Sequence, residues 1–167
     1  RVLALINKGV TLEQLTRSTN HFTSAGIMVH AYLMYGLPTE TTQETIDSLE
    51  VVRQLFELGY VHSGFWHRFA MTAHSPVGLS PERFGTRVTE PPFGGFARND
   101  VAFEDLEGGD HEGLGSGLSR SLYNYMRGVG FDLPLQRWFD FKVPVTSLPP
   151  RFVAHMAEEQ EPVEKLH

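Results

Sequence analysis

A glycine–proline turn directly after an apolar run is the first place where this sequence could do chemistry. Gly36-Leu37-Pro38 follows the apolar residues 27–35, and Glu40 comes shortly after it. Glycine lets the backbone turn sharply or come close to a ligand, and proline fixes φ and removes a backbone donor. Because ligands bind at the carboxyl ends of parallel strands in α/β folds, the turn is a candidate binding loop. Glu40 either faces that ligand or favours the N terminus of the next helix.

A second candidate stretch mixes aromatic and polar side chains along one predicted strand. Residues 65–69 alternate in type and include Trp66, His67, Arg68 and Phe69. Successive side chains of a strand point to opposite faces, so one face carries a mixed polar surface that suits a cavity wall. The structural alternative is that Trp66 and Phe69 pack in the core while His67 and Arg68 lie in solvent at the strand end.

Histidines and carboxylates elsewhere give little support to a metal site. Asp110-His111-Glu112 offers three ligand types in succession, but consecutive residues rarely converge on one metal, and Asp110 alternatively caps the following helix. His74 is interpreted as an exposed loop histidine. The eight histidines contain no His-x-x-x-His pair and the chain has no cysteine, so neither a zinc-hydrolase motif nor a thiolate site is present. We therefore assign no metal ligand and no catalytic residue.

The elements that carry the two candidate stretches follow one another as strand, helix and strand. The apolar run predicts a strand buried on both faces, as in a parallel sheet. Thr41 and Glu44 form a Thr-x-x-Glu capping box for a helix over 42–58, which Gly59 ends. Residues 61–71 form the second predicted strand. A right-handed helical crossover places the carboxyl ends of parallel strands on the same side, so we expect the two stretches to meet there.

Further elements are predicted on both sides of this unit. Apolar spacing indicates a helix over residues 1–8, and Thr11 with Gln14 caps a second helix. After Leu79, prolines and glycines predict a long irregular connection. The predictions beyond it are a segment over 93–100 that either covers a cavity or forms a satellite hydrophobic cluster, a helix over 112–127, a short helix or turn over 133–141, and a last helix that begins near Ser147.

Composition bounds the class of protein. The 167 residues are 41% hydrophobic, which is sufficient for a sizeable core, and they carry a formal net charge of −6 with a pI near 5.7. That charge argues against a general nucleic-acid-binding surface, though not against a specific RNA substrate. No apolar run approaches the roughly 20 residues of a membrane span and no signal peptide is recognised, so we expect a cytoplasmic protein without a membrane partner. Because Arg1 already lies in a predicted helix, we expect a segment of a longer protein.

The stretch Leu33-Met34-Tyr35-Gly36-Leu37-Pro38-Thr39-Glu40-Thr41, entered by Gly26-Ile27, resembles the fifth-strand segment of radical S-adenosylmethionine (SAM) enzymes. The usual family form is an apolar run followed by Gly-(Leu/Phe/Ile)-Pro-Gly-Glu-Thr, and Thr39 stands in place of its second glycine. The similarity extends upstream to residues 3–9 and downstream through residues 65–76, where the strand resembles the sixth of the family. It covers residues 1–79.

The resemblance implies an α/β fold in which residues 1–79 are the last strand–helix units of a partial parallel (β/α) barrel of the TIM-barrel type. Residues 80–167 would then be a mainly helical and loop extension. The implied oxidoreductase chemistry is reductive cleavage of SAM at a four-iron four-sulfur cluster, which gives a deoxyadenosyl radical that abstracts hydrogen from a substrate. The cluster would need a three-cysteine motif upstream of Arg1, in the remainder of the same protein. The extension also resembles tails of cobalamin-associated members, which makes cobalamin a candidate cofactor of the parent protein.

The implied SAM site draws on both candidate stretches. The resemblance assigns these residues to cofactor binding: Gly36, Leu37, Pro38, Glu40, Trp66, His67 and Phe69. The extension would cover an unidentified small-molecule or macromolecular substrate. The absence of cysteines leaves open whether this chain alone is an enzyme, whereas the parent protein is predicted to be one.

Two other functions stay open from the residues. The first is a noncatalytic module that binds a partner or a substrate. The second is a barrel hydrolase with histidine and carboxylate metal ligands, which the missing motifs disfavour.

Overall fold

A computed structural model describes residue 1, residues 9–90 and residues 99–158. The helices and strands are α1 (Leu12–Ser24), β1 (His30–Tyr35), α2 (Thr42–Glu57), β2 (Ser63–Arg68), α3 (Pro76–Leu79), β3 (Thr86–Val88), β4 (Phe103–Asp105), α4 (Leu114–Tyr125) and α5 (Phe152–Glu158). Short 3₁₀ turns occupy Pro81–Phe84 and Leu135–Trp138. None of the described helices is long and apolar enough to cross a membrane. The fold is a mixed α/β arrangement with small sheets.

The strand–helix–strand unit predicted from the sequence is confirmed. Strands β1 and β2 pair in parallel, in a register that runs from His30 opposite Ser63 to Tyr35 opposite Arg68, and α2 connects them. Helix α2 begins where Thr41 accepts a hydrogen bond from the Glu44 N–H while the Glu44 side chain accepts one from the Thr41 N–H. This reciprocal capping box satisfies N–H groups that a helix start otherwise leaves free. Among the described residues the parallel sheet has two strands, so the barrel itself stays a prediction.

The two faces of the parallel sheet differ in what covers them. One face packs against the hydrophobic core, and α4 contacts β2 there. The residues of this covered face are Ala31, Leu33, Tyr35, Gly64 and Trp66. The other face, which we call the open face, carries exposed side chains: His30, Tyr32, Met34, Phe65 and His67. The prediction of a strand covered on both faces is therefore met on one face only within the described chain.

One hydrophobic core joins the two segments that the sequence divides at Leu79. Ile46 and Leu49 of α2, Leu114 and Leu118 of α4, and Val153 of α5 are all fully buried in it. Helices from after Leu79 thus cover the parallel sheet and its connecting helix. The division into residues 1–79 and 80–167 stays a prediction drawn from the family resemblance.

A buried polar network fastens α5 to α2. Gln54 is 2% exposed; its amide donates to the Glu50 carboxylate at 2.8 Å and to the Pro149 carbonyl at 3.0 Å, and its Oε1 accepts the Val153 N–H at 2.9 Å. Arg53 adds a two-pronged ion pair to Glu50, with both N–O distances below 3 Å. Every polar atom of the Gln54 side chain has a partner, which is what burial of an amide requires.

Several predicted bounds shift in the structure. The antiparallel pair β3–β4 lies where an irregular connection was predicted, because strands of three residues are too short to show alternation. The last helix begins at Phe152 rather than near Ser147, and β2 is shorter than the predicted strand. The predicted helix over 1–8 falls mostly on residues 2–8, which lie outside the described residues. The same holds for most of the 93–100 segment.

Candidate functional site

The turn after β1 is held in shape by Glu40. Gly36 has a left-handed φ of +73°, and the buried Leu37 and Pro38 follow it. Glu40 is only 3% exposed; its Oε2 accepts the Leu37 N–H at 2.9 Å and its Oε1 accepts the Thr45 hydroxyl at 2.7 Å. The carboxylate therefore braces its own loop against the first turn of α2.

Thr39 has an unusual backbone conformation in the same loop. Its φ is +63°, which makes it the one described residue other than glycine with positive φ. A β-branched side chain disfavours this region, and glycine is the residue that normally occupies it. The Thr39 N–H donates to the Asp105 carboxylate at 3.0 Å, and its methyl group packs close to Gly85. Contacts from the C-terminal half of the chain thus hold Thr39 in this conformation.

Further hydrogen bonds hold the turn in place, from residues 80–167 on one side and from Arg1 on the other. The Gly109 N–H donates to the Glu40 carbonyl at 2.9 Å, and Asp105 also accepts the Gly108 N–H at 2.9 Å. On the other side, the Arg1 guanidinium contacts the Glu44 carboxylate and the Thr39 carbonyl. The pKa of the Glu44 carboxyl is lowered to about 2, chiefly because its carboxylate accepts hydrogen bonds from Arg1.

The sequence-predicted residues of β2 do not share one face. Trp66 lies on the covered face, where its ring meets Tyr35 edge-on at 6.3 Å, and its buried indole N–H has no hydrogen-bond partner among the described residues. His67 lies on the open face, 6.4 Å from the ring of Tyr32. Phe69 follows the strand; its N–H donates to the Tyr35 carbonyl at 2.8 Å and its ring meets Phe103 edge-on. The Gly36 turn and Phe69 are therefore together at the carboxyl edge, while Trp66 and His67 are on opposite sides of the sheet.

His111 belongs to the same edge, although the sequence did not single it out as a site residue. Its Cγ lies 3.5 Å from the place where a Cβ on Gly36 would be, and an Arg68 carbon is equally close to that place. The side chain is 6% exposed, and neither ring nitrogen has a partner within the described part of the chain. The sequence signal was its place in Asp110-His111-Glu112, three possible ligand types in succession, and that pattern by itself predicts no burial. Within the described ranges no group of three or more metal-ligating side chains comes together.

A separate cleft of about 530 Å³ lies at the other end of α2. It is open to solvent and is lined by Asn20 of α1, the C-terminal end of α2, Arg151 just before α5, and residues of α5 including Glu158. None of the predicted site residues lines it. Its charged side chains already have partners: Arg151 pairs with Glu158 at 2.7 Å, and Glu57 pairs with Arg53 at 2.8 Å.

No family model matches this sequence, and neither the curated proteins nor the solved structures gave a match to the chain. The likeness to radical SAM enzymes consequently rests on the residues quoted from the sequence.

Proposed function

We propose that this chain forms part of the SAM-binding wall of a radical SAM enzyme, at the end of a partial parallel (β/α) barrel. The observation that carries the proposal is Thr39. Its φ of +63° is the conformation that favours glycine, and it occurs at the position where the family motif has glycine. A left-handed backbone at this position is compatible with the glycine of the family motif, and this supports the proposal. The parallel β1–α2–β2 unit, with the turn at the carboxyl end of β1, supports the same proposal.

The residues of the edge fit SAM as a ligand. Phe69 is half-buried and offers aromatic surface to an adenine ring, and the buried Leu37 backs the turn with apolar surface. Gly36 has no Cβ, so its backbone allows close approach on the side away from His111 and Arg68, which lie beside the Cβ position. The bond from the Phe69 N–H to the Tyr35 carbonyl fixes the backbone beside the turn. SAM bound here would supply the deoxyadenosyl group on which radical chemistry of this family depends. This chain's part is to bind that cofactor, orient it and exclude water from one side.

The remaining predicted residues take supporting roles in this proposal. Glu40 fixes the loop, since both of its oxygens are already bonded within it and α2. Trp66 supports the wall from the covered face, whereas His67 lies on the open face together with Tyr32 and Phe65, which would line the barrel interior.

The residues of this chain do not fit an iron–sulfur cluster. Such clusters are held by cysteine thiolates, and the sequence contains no cysteine. We derive no step through the cluster, whose ligands would have to lie in the remainder of the parent protein. We also propose a cytoplasmic location, and cobalamin remains a proposal for the parent protein alone.

The class is tested on the complete reading frame. A Cys-x-x-x-Cys-x-x-Cys motif, together with SAM cleavage by the anaerobically reconstituted protein, is the expected result. A reading frame without such a motif would show that the protein is not a radical SAM enzyme.

The pocket is tested in the same protein by Gly36→Val and Phe69→Ala, with SAM binding measured by calorimetry and folding by circular dichroism. Valine at a left-handed position blocks backbone approach and alanine removes the aromatic face, so each variant should weaken SAM binding about tenfold or more. Tyr123→Ala, on an exposed part of α4, is the matched control and should leave SAM binding unchanged. If both pocket variants fold and bind SAM like the parent, the pocket assignment is wrong.

A further inference from the structure

Asp105, the last residue of β4, reaches the turn after β1 with its carboxylate. Its Oδ2 accepts the Thr39 N–H at 3.0 Å. Its Oδ1 accepts two N–H groups of its own turn, from Glu107 at 3.2 Å and from Gly108 at 2.9 Å. An aspartate that bonds the backbone two and three residues ahead fixes its own side chain. The oxygen that faces Thr39 is therefore held in place by bonds that do not involve Thr39.

Two glycines of the extension, residues 80–167, let it lie directly against this turn and the start of α2. A Cβ on Gly109 would lie 2.6 Å from the Thr42 hydroxyl, and a Cβ on Gly85 would lie 2.9 Å from the Thr39 methyl group. Neither distance leaves room for a side chain. The Gly109 N–H also donates to the Glu40 carbonyl at 2.9 Å. The extension therefore contacts the turn on both sides of the bond from Asp105.

The shape of the turn depends on the backbone of its third residue. The Glu40 N–H donates to the Leu37 carbonyl at 2.9 Å, which closes a four-residue turn. Pro38 in second place and a φ of +63° at Thr39 in third place are features of a type II turn, where glycine is the usual third residue. A change of Thr39 to negative φ would open this turn and move the residues that follow Gly36.

Thr39 is held at both ends of the bond about which φ turns. The N–H lies on one side of that bond and donates to Asp105. The side chain and carbonyl lie on the other side, and the Arg1 guanidinium binds the hydroxyl at 3.0 Å and the carbonyl at 2.7 Å. Loss of the Asp105 carboxylate would release the N–H, and a β-branched residue would then relax away from left-handed φ.

We infer that Asp105 is a positioning residue for the turn after β1: it holds residue 39 in the left-handed conformation and so keeps Gly36-Leu37-Pro38 in the shape that binds SAM. The inference rests on the proposed SAM site and makes the extension a part of it. Thr39 and Asp105 are then a matched pair, because threonine needs the carboxylate whereas glycine adopts left-handed φ unaided. Thr39→Gly should therefore make Asp105 dispensable.

The first measurement needs no ligand: amide hydrogen exchange and ¹⁵N–¹H nuclear magnetic resonance spectra of the 167-residue chain. Asp105→Ala should speed exchange of the Thr39 N–H about tenfold or more, since its acceptor is lost, and should shift the amide signals of the turn. In the double variant with Thr39→Gly, the signals of Gly36, Leu37 and Glu40 should return to their positions in Thr39→Gly alone. A general loss of structure would not be repaired in this way.

The second measurement is SAM binding by calorimetry in the complete protein. Asp105→Ala should raise the dissociation constant about tenfold, since a hydrogen bond to a charged group no longer holds the turn. Thr39→Gly alone should change it less than about threefold, and the double variant should bind SAM within about threefold of the parent, which measures the coupling between the two residues. Glu104→Ala is the matched control, because Glu104 precedes Asp105 on β4 and its exposed carboxylate pairs with Arg87. It should leave exchange at Thr39 and SAM binding unchanged.

Asp105→Asn keeps one acceptor oxygen and replaces the alanine variant if that variant loses its dispersed spectrum; its effects should be smaller and equally repaired by Thr39→Gly. Unchanged exchange at Thr39, or a loss that Thr39→Gly does not repair, would overturn the inference. The two proposals fail separately. A parent protein that binds no SAM rejects the proposed function, and the exchange measurement still decides whether Asp105 holds residue 39. If the pocket variants weaken SAM binding and the Asp105 variants do not, the inference is wrong and the proposed function stands.

Discussion

The loop after β1 depends on one residue in a conformation that its side chain disfavours. Left-handed backbone costs a residue other than glycine about 1–2 kcal/mol, and Thr39 carries a branched Cβ there. Bonds from the Thr39 N–H to Asp105 and from the Gly109 N–H to Glu40 hold the loop in place. The strain is thus offset by contacts made from far along the chain.

Thr39→Gly is expected to raise the free energy of unfolding by about 0.5–1 kcal/mol, because relief of the left-handed strain exceeds the extra chain entropy of glycine. Denaturant unfolding of the parent and the variant measures the difference. Thr39→Ala is the control: it removes the hydroxyl and methyl groups but keeps Cβ, so it should not stabilise the chain. Equal stabilisation by alanine and glycine would show that lost side-chain contacts, and not φ, are responsible.

At the scale of elements, local signals and the parallel β1–α2–β2 unit were predicted, whereas the contacts made by residues after Leu79 were not. The Thr41–Glu44 capping box lies within one helical turn, so the sequence alone located the start of α2. The burial of His111 depends on its contact with Gly36, and β3 finds β4 across a long connection. Neither leaves a periodic pattern in the sequence. Strand alternation predicted that Trp66 and His67 point to opposite faces. It did not predict which face is covered, because that depends on contacts with residues far along the chain.

The attachment of α5 to α2 gives an element-scale prediction. Gln54→Ala should lower the free energy of unfolding by about 2–3 kcal/mol, because it leaves the buried Val153 N–H and Pro149 carbonyl without partners. Ser48→Ala is the matched control, since Ser48 is exposed on the same helix and bonds only the Glu44 carbonyl one turn earlier. It should change stability by less than about 0.5 kcal/mol. A loss in Gln54→Ala no larger than in the serine variant would mean that α5 is held by its apolar contacts alone.

At the scale of the whole molecule, the described chain covers one side of its parallel sheet and leaves the other side open. Helices α2 and α4 and the segment before α5 complete the core on the covered face. On the open face Tyr32 is 72% exposed and Phe65 is 38% exposed, and their rings are 4.1 Å apart. Within the described ranges neither strand has a second neighbouring strand. Backbone donors and acceptors along both edges of the sheet are therefore without a strand partner there.

Exposed aromatic surface beside unpaired strand edges favours association of the isolated 167-residue chain. We expect sedimentation velocity to detect species larger than a monomer, in amounts that grow with protein concentration. Tyr32→Lys and Phe65→Lys place charges on the open face and should shift the distribution toward monomer, because edge pairing would then bring like charges together. Tyr123→Lys introduces the same charge on an exposed part of α4 and should leave association unchanged. A compact monomer at all concentrations, with cooperative unfolding, would contradict this prediction. It would show that the open face is stable in water without a second chain against it.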